Sequence, residues 1–240
     1  MVDQTDLFAP GLAEAAPFGA AAADPGDDLQ RRFAAYGVGA LDEGDTLALV
    51  LARCLRQGED AVAAADALLA CFGGIGRILG APEIDLARVI GAPAARQLGL
   101  LHALLLRVLE HPLRARPALA SSAAVRTYVR ARLTALPREV FHVLFLDRRN
   151  QLIADERMGS GTVDHAPVYP REVVRRALEL SASALLLAHN HPSGDPQPST
   201  ADIEMTRKVV EAARVLRIAV HDHLVVAGDE VLSLRSAGLM

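Results

Sequence analysis

Residues 189–202, with the sequence HNHPSGDPQPSTAD, bring two histidines, a serine and an aspartate into one short segment. His189 and His191 follow the wholly apolar run ALLLA at 184–188, which is typical of a buried strand covered by helices on both faces. Because side chains at i and i+2 of an extended chain point the same way, both imidazoles can reach one point beyond the end of the strand. Asp202 lies in the first turn of the next predicted helix and can reach the same point.

Two histidines and one carboxylate are typical of catalytic zinc, which keeps a fourth coordination position for water. Zinc lowers the pKa of that water to about 7, so hydroxide forms near neutral pH. The edge at which the strands reach their carboxyl ends is also where open α/β sheets bind their ligands. We therefore predict that His189, His191 and Asp202 bind Zn²⁺.

Glu139 and Ser199 are the candidates for the remaining catalytic roles. A general base must hold the water and pass its proton to the leaving group. Glu139 suits this role because it opens the predicted strand 140–147 (VFHVLFLD), which can place its carboxylate in the same cleft. Ser199 is one helical turn before Asp202 and can donate a hydrogen bond to a tetrahedral oxyanion. The Ser-x-x-Asp spacing also approximates a capping box, and the two roles are compatible.

The segments that position these residues form an α/β domain from residue 123 to residue 240. Apolar periodicity predicts helices at 123–136, 171–181 and 199–216, and strands at 140–147, 152–158, 184–188, 218–227 and 231–234. The resulting order, α-β-β-α-β-α-β-β, indicates a three-layer domain with a mixed sheet.

Three further segments precede this domain. Residues 29–110 have helical apolar spacing and predict a small all-α domain, with helices at 45–55, 61–72, 82–89 and 94–109. Residues 111–122, HPLRARPALASS, contain two prolines and predict a linker. Residues 1–28 are rich in Ala, Gly, Pro and Asp and predict a disordered acidic tail. A chain of 240 residues, 51% of them hydrophobic, is long enough to bury two small cores.

Charge and hydropathy argue against two broad classes of protein. The first 30 residues hold six acidic residues and no Lys or Arg, so the other 210 residues carry 25 basic and 23 acidic groups. This near-neutral balance lacks the basic excess of a dedicated nucleic-acid binder. No apolar run reaches the roughly 18 residues of a membrane span, and the N-terminus lacks the pattern of a secretory signal. We expect a cytoplasmic protein that does not contact a membrane.

The spacing of the five site residues resembles the JAMM (MPN+) metalloprotease motif. That motif has a distant Glu, then His-x-His, seven residues, Ser, two residues and Asp. Here residues 192–198 are the seven and residues 200–201 the two, and Glu139 precedes His189 by 50 residues. The resemblance is closest to the RadC family, whose version reads HNHPSG. It covers about residues 120–240, through the segments EVFHVLFLD, GTVDHAPVYPREVVRRALEL and DHLVV, and residues 30–110 resemble the RadC helical region.

The resemblance implies a fold, a cofactor and an activity. It implies a JAMM/cytidine-deaminase-like fold for the C-terminal domain, with zinc held by His189, His191 and Asp202. Glu139 becomes the acid/base and Ser199 the oxyanion partner of a zinc metallopeptidase. The implied substrate is a protein or peptide, cleaved at an amide, peptide or isopeptide bond. Deubiquitinating JAMM enzymes usually have Ser or Thr between the two histidines, so Asn190 gives no reason to expect ubiquitin-like substrates.

Two other functions stay open. The family name implies a DNA repair-associated or nucleic-acid-binding factor, and a third possibility is a scaffold with a non-catalytic zinc site. RadC relatives resemble a helix-hairpin-helix DNA-binding unit in their helical region, with a hairpin like G-x-G-x-x-K. Residues 90–96, IGAPAAR, lack the second Gly and the Lys, and Pro93 removes a backbone N–H. The sequence leaves the oligomeric state open.

His221 and His223 form a second His-x-His, in VHDHLVV, that matches no second metal site. On a strand, one of the two is expected to face the core and the other the sheet surface. A supporting contact from His223 or Asp222 to the metal ligands stays open.

Overall fold

The N-terminal part of the computed structural model, which describes residues 25–56, 58–118, 122–160 and 168–240, is helical. Its helices are α1 (Pro25–Tyr36), α2 (Glu43–Leu51), α3 (Ala61–Phe72), α4 (Ile75–Gly80) and α5 (Glu83–Ala115). Their buried leucine and isoleucine side chains form one core of their own. The predicted helical region is therefore confirmed. Residues 1–24 of the predicted tail lie outside the described residues, and residues 25–28 belong to α1.

Local sequence signals set the ends of these helices. The Asp42 side chain caps α2 by accepting from the backbone N–H of Asp45. The Asp45 carboxylate accepts from the backbone N–H of Asp42, which completes a capping box. Asp60 caps α3 by accepting from two backbone N–H groups. Gly73, with φ 81°, ends α3 because a left-handed residue at this position favours glycine. The predicted helix 61–72 therefore has the same bounds in the structure.

Helix α5 is two helices joined at Gly91, where φ is 76° and ψ is 156°. This break separates the two helices predicted at 82–89 and 94–109. The second helix continues to Ala115, so residues 111–115 are helical rather than part of a linker. The reason is tertiary packing: Leu113 is buried against the core of the next domain, and Arg114 donates to the carbonyl of Ile153 at 2.8 Å. These contacts outweigh the one backbone hydrogen bond lost at Pro112.

By length and composition, α5 is the one helix among the described residues that passes the test for a membrane span. A core helix of a protein in water passes the same test. Leu86, Ile90 and Leu98 of α5 are buried in the helical core. One stretch of the helix nevertheless presents apolar side chains to the outside: Leu100, Leu101, Leu104, Leu105 and Val108.

The C-terminal part is a three-layer α/β domain around a five-stranded mixed sheet. Its elements are α6 (Ser122–Leu133), β1 (Val140–Leu146), β2 (Leu152–Ser160), α7 (Pro170–Glu179), β3 (Ala184–Asn190), α8 (Thr200–Val215), β4 (Ala219–Ala227) and β5 (Glu230–Ser233). The strand order is β2-β1-β3-β4-β5, and β3–β4 is the parallel pair. The predicted element order and fold class are confirmed.

The two faces of the sheet bury different helices. In β1, Leu144 and Leu146 belong to the core under α6, whereas Val143 and Phe145 belong to the core under α7 and α8. Strand β3 alternates in the same way and is buried along its whole length. This alternation decides which side each residue at the end of β3 faces.

The helical region packs against α6 next to the end of β3. A Cβ placed on Gly80 would lie 2.7 Å from Cβ of Ala135, so only glycine allows this approach. His102 Nε2 lies 2.9 Å from the carbonyl oxygen of Ala131. A cleft of about 300 Å³ remains between the two regions, with Arg77 on one wall and His191 on the other.

Candidate metal centre

The sheet brings Glu139 and the two histidines to one edge. Strand β1 runs antiparallel to β3, and Phe141 pairs with His189. The start of β1 therefore lies beside the end of β3, and Glu139, directly before β1, comes to the edge at which β3 ends. Its side chain is half-buried there.

Three ligand atoms converge at this edge. One nitrogen each from His189 and His191 and a carboxylate oxygen of Asp202 lie within 4.8 Å of one another. His189 Nε2 is 2.9 Å from His191 Nε2 and 3.5 Å from Asp202 Oδ1, and His191 Nε2 is 3.6 Å from Asp202 Oδ2. Tetrahedral zinc with bonds of about 2.1 Å places its ligand atoms about 3.4 Å apart. Each imidazole nitrogen already lies at about this distance from one oxygen of Asp202. The two imidazole nitrogens would need to move apart by about 0.5 Å.

The electrostatics of the three residues suit a cation. Burial lowers the pKa of His189 to about 4, which keeps this imidazole neutral and able to bind a metal. Burial alone would raise the pKa of Asp202, but the hydrogen bond with His191, the charge of His189 and the contacts with Ser199 hold it well below its ordinary value. The site therefore offers a neutral nitrogen and an anionic oxygen at neutral pH.

His191 carries a proton more readily than His189. Its hydrogen bond with Asp202 raises its pKa, burial opposes that shift, and the backbone carbonyl of Asp195 and the charges of Asp202 and Glu139 raise it further. Glu139 therefore lies close enough to His191 for its charge to favour the protonated form of this imidazole.

Ser199 and Asp202 form the capping box that begins α8. The backbone N–H of Asp202 donates to Ser199 Oγ at 3.2 Å, and the backbone N–H of Ser199 donates to Asp202 Oδ2 at 2.8 Å. The Ser199 hydroxyl also donates to Asp202 Oδ2 at 2.6 Å. Oδ1 of Asp202 takes no part in this box and is the oxygen nearest to His189. The cap therefore leaves Oδ1 of Asp202 directed at His189, while Oδ2 lies 3.6 Å from Nε2 of His191.

Asn190, between the two histidines, faces the other side of the sheet. It is 1% exposed, and its Oδ1 accepts from the backbone N–H of Val140 at 2.9 Å. Its Nδ2 donates to the carbonyl oxygens of Leu136 and Arg138, both at 3.1 Å. The side chain therefore holds the backbone on both sides of Glu139. This role of Asn190 was not predicted from the sequence.

His223 and Thr206 lie behind His189 and are also absent from the predicted site residues. His223 is 0% exposed and its Nε2 lies 2.8 Å from Nδ1 of His189. His221 is half-buried and its Nε2 lies 2.7 Å from Oδ1 of Asn150. The expectation that one of the pair faces the core is confirmed. The family motif has no position for His223, and the signal that could have found it is the second His-x-His on the neighbouring strand.

Comparison with known proteins identifies the family. A family model described as RadC-like JAB domain matches residues 119–239. The chain belongs to the RadC family. A UPF0758 protein of Rhodobacter capsulatus is 46% identical over 214 residues, which cover 88% of this chain and all of that protein. RadC membership confirms the resemblance found in the sequence, and the His-His-Asp group gives this RadC protein a site that can hold a metal ion.

Proposed function

We propose that this RadC-family protein is a zinc-dependent hydrolase of the JAMM type that cleaves an amide, peptide or isopeptide bond. The observation that carries the proposal is the convergence of His189, His191 and Asp202 at the sheet edge to which the pairing of β1 with β3 brings Glu139. When bound, zinc supplies a Lewis acid and an activated water. A protein or peptide substrate and a cytoplasmic location belong to the same proposal.

Glu139 is the proposed acid/base. Its half-buried carboxylate takes a proton from the attacking water as the new bond to the carbonyl carbon forms. The same carboxyl group then gives that proton to the nitrogen of the leaving amine as the carbon–nitrogen bond breaks. The side chain of Asn190 accepts from the backbone N–H of Val140 and donates to the carbonyl of Arg138, which keeps the backbone on both sides of Glu139 in place during both transfers.

Ser199 is the proposed oxyanion partner. Its hydroxyl donates to Asp202 Oδ2, so it must rotate away from the carboxylate to donate to a substrate oxygen. The backbone N–H of Ser199 keeps its own contact with Oδ2 at 2.8 Å during that rotation. The cap and the catalytic role are therefore compatible in the structure.

The test compares wild type with Glu139→Gln, both as full-length protein loaded with zinc. The probe is a mixture of short peptides, some with an isopeptide-linked lysine, and the products are read by mass spectrometry. We expect equal zinc content and a loss of about 10²–10⁴-fold in the rate for Glu139→Gln. Glu204→Gln, on the exposed side of α8, is the matched control and should keep the wild-type rate. Full activity of Glu139→Gln, or of zinc-free wild type, would contradict the proposal.

A further inference from the structure

A chain of hydrogen bonds runs from His189 into the fold, away from the metal position. His189 Nδ1 lies 2.8 Å from His223 Nε2, and His223 Nδ1 lies 2.6 Å from the hydroxyl oxygen of Thr206. The Thr206 hydroxyl donates to the backbone carbonyl of Asp202 at 2.6 Å. His223 and Thr206 are both 0% exposed, so water does not compete for these contacts.

The last hydrogen bond decides the direction of the others. The carbonyl oxygen of Asp202 can only accept, so the hydroxyl hydrogen of Thr206 lies between the two oxygens. The Thr206 oxygen then accepts from Nδ1–H of His223, which leaves Nε2 of a neutral His223 as an acceptor. His189 must therefore donate from Nδ1, and its Nε2 carries the lone pair.

Burial favours the neutral form of both imidazoles. His223 is 0% exposed and His189 is 3% exposed, so a charged ring at either position would lose its hydration. A neutral imidazole carries a single proton, and the hydrogen-bond chain decides which nitrogen holds it.

We infer that His223 and Thr206 are positioning residues that hold His189 as the Nδ1–H tautomer, with the Nε2 lone pair directed at His191 and Asp202. A metal ion binds the lone pair of an imidazole nitrogen, so His189 needs no tautomer exchange before it binds one. Because Thr206 bonds to the carbonyl of Asp202, the same chain joins two of the three metal ligands. The inference rests on the metal-binding part of the proposed function and is independent of hydrolysis.

A different partner, the backbone carbonyl of Asp195, holds His191 in the same tautomer. Its Nδ1 lies 2.7 Å from the backbone carbonyl oxygen of Asp195, which can only accept. Nδ1 of His191 therefore donates, and Nε2 faces the metal position. Nε2 of His191 lies 2.9 Å from Nε2 of His189. Both histidines thus donate from Nδ1 and present Nε2.

The tautomer can be measured without zinc. Two-bond ¹⁵N–¹H correlation spectra of full-length protein with ¹⁵N-labelled histidine report which nitrogen of His189 is protonated. We expect the Nδ1–H form in wild type and a shift towards Nε2–H in His223→Phe, which keeps a ring and removes the acceptor. His223→Gln is the control, because its amide oxygen can replace Nε2 as the acceptor. An Nε2–H form of His189 in wild type would overturn the inference.

Zinc affinity, measured by competition with a chelator, is the second readout. His223→Phe should bind zinc about 10–100-fold more weakly than wild type. Thr206→Val, which removes the hydroxyl at nearly constant volume, should weaken binding in the same direction, and Thr206→Ser should not. If His223→Phe fails to fold, the zinc affinity of Thr206→Val and the wild-type spectrum test the positioning role.

Two results separate this inference from the proposed function. Equal zinc affinity in wild type and in folded His223→Phe and Thr206→Val would overturn the positioning role and leave the zinc site in place. A wild-type protein that shows the Nδ1–H tautomer but binds no zinc would support the hydrogen-bond chain and contradict the proposed hydrolase.

Discussion

Oδ1 of Asn190 accepts a hydrogen bond from the backbone N–H of Val140 at 2.9 Å, which ties the end of β3 to the residue after Glu139. The two residues are 50 positions apart in the chain. Nδ2 of Asn190 also donates to the backbone carbonyls of Leu136 and Arg138. This one amide therefore holds the turn that positions Glu139, the proposed acid/base. The residue between the two histidines therefore organises the site from the opposite face of the sheet.

Asn190→Ala should destabilise the fold by about 3 kcal/mol, because it leaves a buried N–H and two carbonyl groups without their partner. Denaturant unfolding of the metal-free protein measures the change. Gln197→Ala, which removes an exposed amide from the loop after β3, is the control and should stay within about 0.5 kcal/mol of wild type. Equal stability of Asn190→Ala and wild type would show that the turn before β1 holds without the amide.

Ser199→Ala and Ser199→Gly separate the two roles of Ser199. Ser199→Ala should cost about 1 kcal/mol of unfolding free energy, because it removes the cap of α8. Glycine is a good N-cap residue, so Ser199→Gly should cost only a few tenths of a kcal/mol while also lacking the hydroxyl. If Ser199 also stabilises an oxyanion, both variants should lose about 10²–10³-fold in kcat. A Ser199→Gly protein with wild-type kcat would assign Ser199 to the cap alone.

The contacts of Asp155 predict that the folded protein loses stability in acid. Its buried carboxylate accepts from the Tyr128 hydroxyl and pairs with His142, each at 2.7 Å, and Arg132 lies 3.4 Å away. Burial alone would raise the pKa of Asp155, but the hydrogen bonds and charges of His142, Tyr128 and Arg132 lower it below its ordinary value. A carboxyl group whose pKa is lowered by folding adds stability above its unfolded pKa of about 3.9, and that stability is lost as the pH falls through the folded value.

Wild type should therefore exceed Asp155→Asn in unfolding free energy near neutral pH, and the difference should shrink as the pH falls below about 4. Denaturant unfolding near pH 7 and near pH 3 measures both values. Tyr128→Phe removes one of the donors and should reduce the same pH-dependent difference. A difference that is constant with pH would mean that the charge of Asp155 does not stabilise the fold.

The sequence was sufficient for the order of the elements in the C-terminal domain and for the residues that local spacing brings together. The i and i+2 spacing of His189 and His191 at the end of an apolar run placed both imidazoles on one side, and the structure places them 2.9 Å apart. Asp202 followed from its place in the first turn of α8. These predictions depend on neighbouring residues and on the regular geometry of strands and helices.

Contacts between segments that are distant in the chain could not be predicted from the sequence. The role of Asn190 depends on the pairing of β1 with β3, and that of His223 on the register that sets it beside Leu187 in the parallel pair β3–β4. That register contains an irregularity between Leu185 and Leu186, which no local pattern indicates. The extension of α5 to Ala115 was missed because the prolines suggested a linker, whereas the burial of Leu113 decides the outcome.

The most direct test of the account is the metal content of purified full-length protein after zinc reconstitution near neutral pH. Wild type should hold about one zinc per chain, and the double variant His189→Ala/His191→Ala should hold none. His221→Ala changes a histidine of the other His-x-His, outside the ligand group, and should keep the wild-type content. Wild type that takes up no zinc, or a double variant that keeps it, would contradict the proposed metal centre and the hydrolase that depends on it.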